Sequence, residues 1–428
     1  MAGRFAKLVG MVAALWLGWA PAEARTSYVR AGRLIDTEAG TVLTDRLIRI
    51  DDGRVAAVTA WSPPPAGSEL IDWSGFTVLP GLIDTHTHLA DWGQTDNVAE
   101  PLLHSAQATA YAAARNARAT LHAGFTSVHD VGSYRGLADV ALRDAIERGD
   151  VEGPRMNVVG AYITIPGGGG EVTGLAPDVT IPADMRMGVV RDAQEVRHKV
   201  NRLFQHGVDS IKLIATGAVL TEGTEPGTRE LTDDEIAAAV AAARANGGWV
   251  TAHAHGAEGI KAAIRGGVRA IEHASLIDDE GIALAKAKGV FLSMDIYNGD
   301  HIDEIGTREG WPESQLRKNR ETTEAQRQAF RRAVKAGAKL AYGTDAGVYP
   351  HGLNARQFRY MVRYGMTSMQ AIQAATVVAA ELLGRPNDVG ALSPGHHADM
   401  IAVEGDPLQD IGLLERVAHV MKGGKLVR

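Results

Sequence analysis

Between residues 81 and 385, short apolar runs alternate eight times with Ala-rich stretches of helical character. The runs are GLIDTHTHL, GFTSVHDVG, RMNVVGAYITI, VDSIKLIAT, WVTAHAHG, RAIEHAS, VFLSMDIY and KLAYGTDAG. Strands joined through helices pair in parallel, which leaves few architectures open. Eight such units are the count of a (β/α)8 barrel. One helix start is legible in LTDDEIAAAVAAARANGG. Thr232 stands as N-cap, Glu235 follows three residues on, and Gly247-Gly248 is a stop. The flanks read differently. Residues 25–80 hold TSYVRAGRLID, RLIRIDDGRVAAVTA and FTVLPGLID, and Asp52-Gly53 is a hairpin signal. After residue 390, ALSPGHHADMIAVEG and HVMKGGKLVR return to strand-like runs with Gly turns. The expected class is α/β: a (β/α)8 TIM-type barrel over 81–385, and a small β-sandwich domain built from both chain ends, 25–80 and 386–428.

A chain of 428 residues can bury such a core. Its net charge of −7 is interspersed with no basic stripe, which argues against a nucleic-acid partner. It has no cysteine, hence no disulfide framework, thiol nucleophile or Cys-ligated zinc. Arg4 and Lys7 precede the 13-residue apolar run LVGMVAALWLGWA, and Ala22-Glu23-Ala24 fits a small-x-small cleavage site. This predicts a secretory signal peptide over 1–24, with export to the periplasm or beyond. The run is short of the roughly 20 residues of a membrane span, so no membrane partner is expected after cleavage. Gly167 to Gly170 form a loop after the third strand.

Chemistry collects at the strand ends. Positions i and i+2 of a strand share a face, so His86 and His88 look the same way at the end of the first barrel strand. Lys212 sits inside SIKLIA, His253 and His255 end WVTAHAH, His273 ends RAIEH, and Asp345 ends KLAYGTD. A lone histidine here could be a satisfied core residue, Asp345 a helix cap, and Lys212 a snorkelling side chain. All would have to hold together, at the end of a barrel where active sites lie. A buried lysine and carboxylate are costly unless paired or metal-bound. Histidines and one carboxylate converging on one mouth make a metal-site composition.

HTH on strand one, Lys on strand four, His on strands five and six, and GTD on strand eight resemble the amidohydrolase superfamily. The tail GALSPGHHADMIAVEGDPLQDI also looks like that superfamily's return to its small β-domain. Within it, the chain is similar to Xaa-Pro and Xaa-Arg dipeptidase-like enzymes, to imidazolonepropionase-like proteins and to ochratoxin-hydrolysing amidohydrolases. The resemblance implies two divalent metals, usually zinc. His86, His88 and Asp345 would hold one, and His253 and His273 the other. Lys212, carboxylated by carbon dioxide to a carbamate, would bridge both. Asp345 would carry the proton from the attacking water to the leaving amine, and His255 would donate to the scissile carbonyl. His129 and Tyr162 are further candidates to line the mouth. The implied substrate is a small amide or dipeptide that releases a C-terminal amino acid, ochratoxin A giving ochratoxin alpha and phenylalanine among them. The implied assembly is a homo-oligomer, an octamer in many relatives. The alternative is a cyclic-amide hydrolase or deaminase of the same superfamily, which often lacks the bridging lysine. A metal-storage protein and a partner-binding barrel are readings from other classes.

Overall fold

A computed structural model describes residues 26–93 and 97–428. The expected signal segment, 1–24, lies outside the described residues. Four strands come first: β1 (Thr26–Asp36), β2 (Thr41–Asp51), β3 (Arg54–Ala60) and β4 (Glu69–Pro80). The β2–β3 turn is the expected one. Asp52 and Gly53 take φ of 48° and 78°, the left-handed pair that a tight hairpin requires.

The next nine strands are short: β5 (Leu82–Thr87), β6 (Phe125–Asp130), β7 (Arg155–Val158), β8 (Tyr162–Ile163), β9 (Ser210–Ile214), β10 (Trp249–Ala254), β11 (Ala270–His273), β12 (Phe291–Ser293) and β13 (Leu340–Ala341). Helices α1 (Ala106–His122), α2 (Ala138–Arg148), α3 (Ala193–Gln205), α4 (Asp233–Ala245), α5 (Ala257–Gly266) and α6 (Asp279–Lys288) alternate with them. Two helices, α7 (Asn298–Glu309) and α8 (Glu313–Ala336), follow β12. The α4 cap is as the sequence indicates. Thr232 Oγ1 accepts from Glu235 N at 3.2 Å, and Glu235 Oε2 accepts from Thr232 N at 2.8 Å.

These strands form two parallel sheets, β5-β6-β7 and β8-β9-β10-β11-β12-β13. The third apolar run of the sequence, RMNVVGAYITI, is thus not one strand. Gly160, at φ 79°, breaks it, and β7 and β8 join different sheets. Backbone hydrogen bonds tie the sheets at their edges. Thr85 N donates to Tyr342 O at 2.7 Å, Asp345 N to His86 O at 2.8 Å, and Asp209 N to Val158 O at 2.9 Å. The strands are apolar on both faces, as parallel strands covered by helices must be. Leu82, Phe125, Ile211, Leu213, Ile271 and Leu292 are almost fully buried in one cluster.

Both chain ends meet in a third sheet. β14 (Met400–Val403), β15 (His419–Lys422) and β16 (Lys425–Leu426) extend the N-terminal strands in the order β16-β15-β14-β4-β1-β2-β3. The seam is β14 against β4, from Met400 opposite Pro80 to Val403 opposite Thr77. Val29, Ile48, Val78, Met400 and Met421 pack on it as a separate small core. Among the described residues, no helix is long and apolar enough to cross a membrane.

Candidate metal centre

β5 delivers His86 within the strand, and His88 stands just past its end. Two glycines let the last strand's continuation approach them. A Cβ on Gly343 would stand 3.0 Å from the His86 Cβ, and one on Gly347, at φ 126°, 2.7 Å from the His88 Cβ. Between those glycines sits Asp345. Its Oδ1 lies 3.1 Å from His88 Nε2 and 3.4 Å from His86 Nε2, and its Oδ2 accepts from Asn298 Nδ2 at 2.9 Å. Asp345 and His273 have positive φ, 58° and 67°, uncommon for residues other than glycine. Such backbone costs about 1–3 kcal/mol and persists only where the surroundings impose it.

The remaining histidines close the ring. The His86 and His273 ring centroids are 4.8 Å apart, His253 and His273 4.5 Å, and His255 and His273 4.7 Å. Ligand atoms of His86, His273 and Asp345 all lie within 4.8 Å of one another, as do those of His253, His255 and His273. His273 is therefore common to two clusters, and His255 stands among the candidate ligands as well as beside them. Lys212, in β9, lines the same cleft and is only 2% exposed.

Most of these imidazoles are anchored through one nitrogen. Nδ1 of His88 faces Gly132 O at 2.7 Å, Nδ1 of His273 faces Asp295 Oδ1 at 3.0 Å, and Nδ1 of His255 faces Ser275 Oγ at 2.8 Å. Nε2 of His253 faces Gly217 O at 3.2 Å. His88, His253 and His273, each facing an oxygen that can only accept, present the other nitrogen as a lone pair, the usual arrangement around a bound metal. Asp295 is itself held by Asn298 at 3.1 Å and Gln326 at 2.8 Å.

The electrostatics agree. Burial, then the His273 charge, holds His253 and His255 well below the usual histidine range, so both stay neutral and able to ligate. Burial also lowers Lys212, against the pull of Glu272 and Asp345. Among the described residues His86 has no aligned hydrogen-bond partner on either nitrogen. Burial works against protonated His88 and His273, but Asp345 and Asp295 outweigh it and raise both, His88 to about 9, so a divalent cation held there would have to displace their protons.

Tyr162 reaches the cleft, its hydroxyl 3.0 Å from His88 Nδ1. His129 does not line it. Its Nε2 meets Ser210 Oγ at 2.9 Å, and its ring lies 4.8 Å from Trp249. Ser210 and Trp249 open β9 and β10, so this imidazole is packed toward the far end of the strands from the mouth. The sequence reading passed over Asp295, Asn298 and Gln326. Asp295 falls within the seventh apolar run, just past β12, and Asn298 and Gln326 lie on α7 and α8, where no strand-end signal marks them. Glu272 was also passed over, because period 2 turns a neighbour of His273 to the other face.

Known proteins share this arrangement of chain. The Amidohydrolase family model matches residues 77–427. Ochratoxinase from Aspergillus niger is 31% identical over an alignment of 437 positions that spans 95% of this chain and 87% of that protein. The crystal structure of an Xaa-Pro dipeptidase with bound methionine in its active site superposes with a TM-score of 0.89 at 36% identity, over 94% of this chain and all of that one. The crystal structure of A. niger ochratoxinase superposes with a TM-score of 0.83 at 27% identity, over 95% of this chain and 96% of that one. With a family match reaching from just before β5 to the last strand, the chain belongs to the amidohydrolase family.

Proposed function

We propose that this hydrolase is a binuclear metal enzyme that cleaves a peptide or N-acyl amide and releases the C-terminal amino acid, with ochratoxin A among its substrates. The observation that carries the reading is the convergence of His86, His88, Lys212, His253, His273 and Asp345 on one cleft. The similarity to an Xaa-Pro dipeptidase and to an ochratoxinase supports the amide class. The two parallel sheets would together make the (β/α)8 barrel, with the small β-domain of both chain ends beside it.

His86, His88 and Asp345 would hold one cation, His253 and His273 the second, and a Lys212 carbamate both; zinc is the proposed metal. Bound there, the cations supply a water that ionises near neutral pH and a charge that polarises the scissile carbonyl. Asp345 Oδ1, facing His86 and His88, takes the proton and returns it to the leaving amine. Asn298 fixes the other carboxylate oxygen, which keeps Oδ1 aimed at the cleft. His255 accepts at Nδ1 from the Ser275 hydroxyl, which leaves the proton on Nε2 to donate to the carbonyl oxygen.

The test is Asp345→Asn on a dipeptide and on ochratoxin A, with metal content measured on the same sample. An amide oxygen can still coordinate but cannot accept the proton. Turnover falls roughly 10²- to 10⁴-fold with metal largely retained. Wild-type turnover at full occupancy would remove Asp345 from the mechanism.

A further inference from the structure

A second, smaller chamber adjoins the metal cleft, and the two share Asp91, Tyr134, Leu220 and Thr221 in their walls. Trp92, Val98, Pro101 and Val172 supply the apolar part of the second chamber's wall, and polar side chains such as Thr109, Thr173, Glu222 and Gln315 share the lining with them. Its guanidinium, Arg135, is spent on Asp184 at 3.0 Å and on His104 O at 2.8 Å. Glu100 and Glu171 are matched by His104 and Arg186 at 2.7 and 3.0 Å.

Asp91 is different. Its side chain keeps 15% of its exposure and lines both chambers. Oδ1 accepts from Tyr134 N at 3.3 Å, and Oδ2 lies 3.5 Å from the Tyr162 hydroxyl. Its one basic neighbour is His88, whose Nδ1 is 4.0 Å away and faces Gly132 O more closely. No lysine or arginine pairs with it among the described residues. A carboxylate largely removed from water without a cation is costly. A ligand that brings its own cation relieves that cost.

Position says which cation. His88 presents Nε2 toward Asp345 and the reacting centre, and Nδ1 toward Asp91. One imidazole ring thus separates Asp91 from the place where the scissile carbonyl must lie. In an unblocked dipeptide, the α-ammonium is bonded to the carbon that carries that carbonyl.

We propose that Asp91 is a specificity-determining residue that holds the α-ammonium of an unblocked dipeptide, while the adjoining chamber takes that residue's apolar side chain. The proposal rests on the amide-hydrolase reading above. It ranks substrates within that class: free dipeptides with an apolar first residue bind better than N-acylated ones.

The experiment compares Leu-Phe with N-acetyl-Leu-Phe on the zinc-loaded enzyme at about pH 7, below the α-amino pKa of about 7.7–8.0. Released phenylalanine is the readout. A hydrogen-bonded charge pair of this kind is worth roughly tenfold to a hundredfold. Wild type shows at least tenfold higher kcat/KM on Leu-Phe, and Asp91→Asn collapses the ratio toward one, chiefly by raising KM for Leu-Phe. Equal kcat/KM for the two substrates in wild type overturns the proposal without needing the variant. So does an equal proportional loss on both in Asp91→Asn, which marks a merely structural role. Phenylalanine released equally from both leaves the hydrolase reading standing and removes only this subsite. Release from neither, and none from ochratoxin A, overturns the hydrolase reading and this one with it.

Discussion

Glu272 Oε2 lies 3.0 Å from His86 Nδ1, with both side chains almost fully buried. The other carboxylate oxygen is held by the Thr251 hydroxyl, one strand over. Oε2 and Nδ1 are close without being aligned as a hydrogen bond, so it is the carboxylate's charge beside Nδ1 that favours the proton there and leaves Nε2, which faces Asp345, as the lone pair.

Glu272→Gln is therefore expected to weaken metal binding about 10- to 100-fold while the fold survives. Zinc competition against a chromophoric chelator measures this. Affinity equal to wild type would show that Glu272 only fills space.

Lys212 carries a second expectation. Elemental analysis of protein purified without chelator should find two divalent ions per chain. Lys212→Ala should fall to one or fewer and lose activity, and acetate or propionate should restore part of it by standing in for the carbamate. Chelation of the wild type should lower its Tm, because the metal binds only the folded state. One ion per chain at full activity rules out the binuclear centre, and an active Lys212→Ala rules out the lysine as ligand.

Asp388 sets a pH dependence far from the cleft. Burial works against its carboxylate, but hydrogen bonds from Arg54 and Arg385 outweigh it and hold it down at about 2. Arg54 begins β3, so the contact ties the two chain ends at 2.9 Å. A depressed carboxylate stabilises the fold above its unfolded pKa of about 3.9, and that contribution fades as pH falls toward the folded value. Asp388→Asn should have a lower urea midpoint than wild type at neutral pH, with the gap narrowing from about pH 4 downward. A gap independent of pH would point to lost packing instead.

Export is the fourth expectation. The mature chain should begin at Arg25, directly after the Ala22-Glu23-Ala24 site. N-terminal sequencing of protein from its native host reads this directly. Cytoplasmic material that starts at Met1 refutes it.

The sequence alone determined the alternation of strands and helices, the hairpin at Asp52-Gly53 and the α4 cap, because each depends on residues close along the chain. It also marked His86, His88, Lys212, His253, His255, His273 and Asp345, since two-residue spacing and a charge inside an apolar run are local signals. Tertiary structure decided the rest. It split the third apolar run at Gly160 between two sheets, because pairing depends on which neighbours are in reach. It turned His129 toward Ser210 and away from the mouth. It also brought Glu272 and His273 to the same centre, although adjacent strand residues face opposite ways. The strand ends at His273, whose backbone takes φ of 67°. That left-handed turn is held by contacts from α8, where Gln326 Nε2 donates to His273 O at 3.0 Å, and from Asp295 after β12. No spacing within RAIEHAS encodes those partners, so the geometry that joins Glu272 to His86 exists only once distant segments have packed.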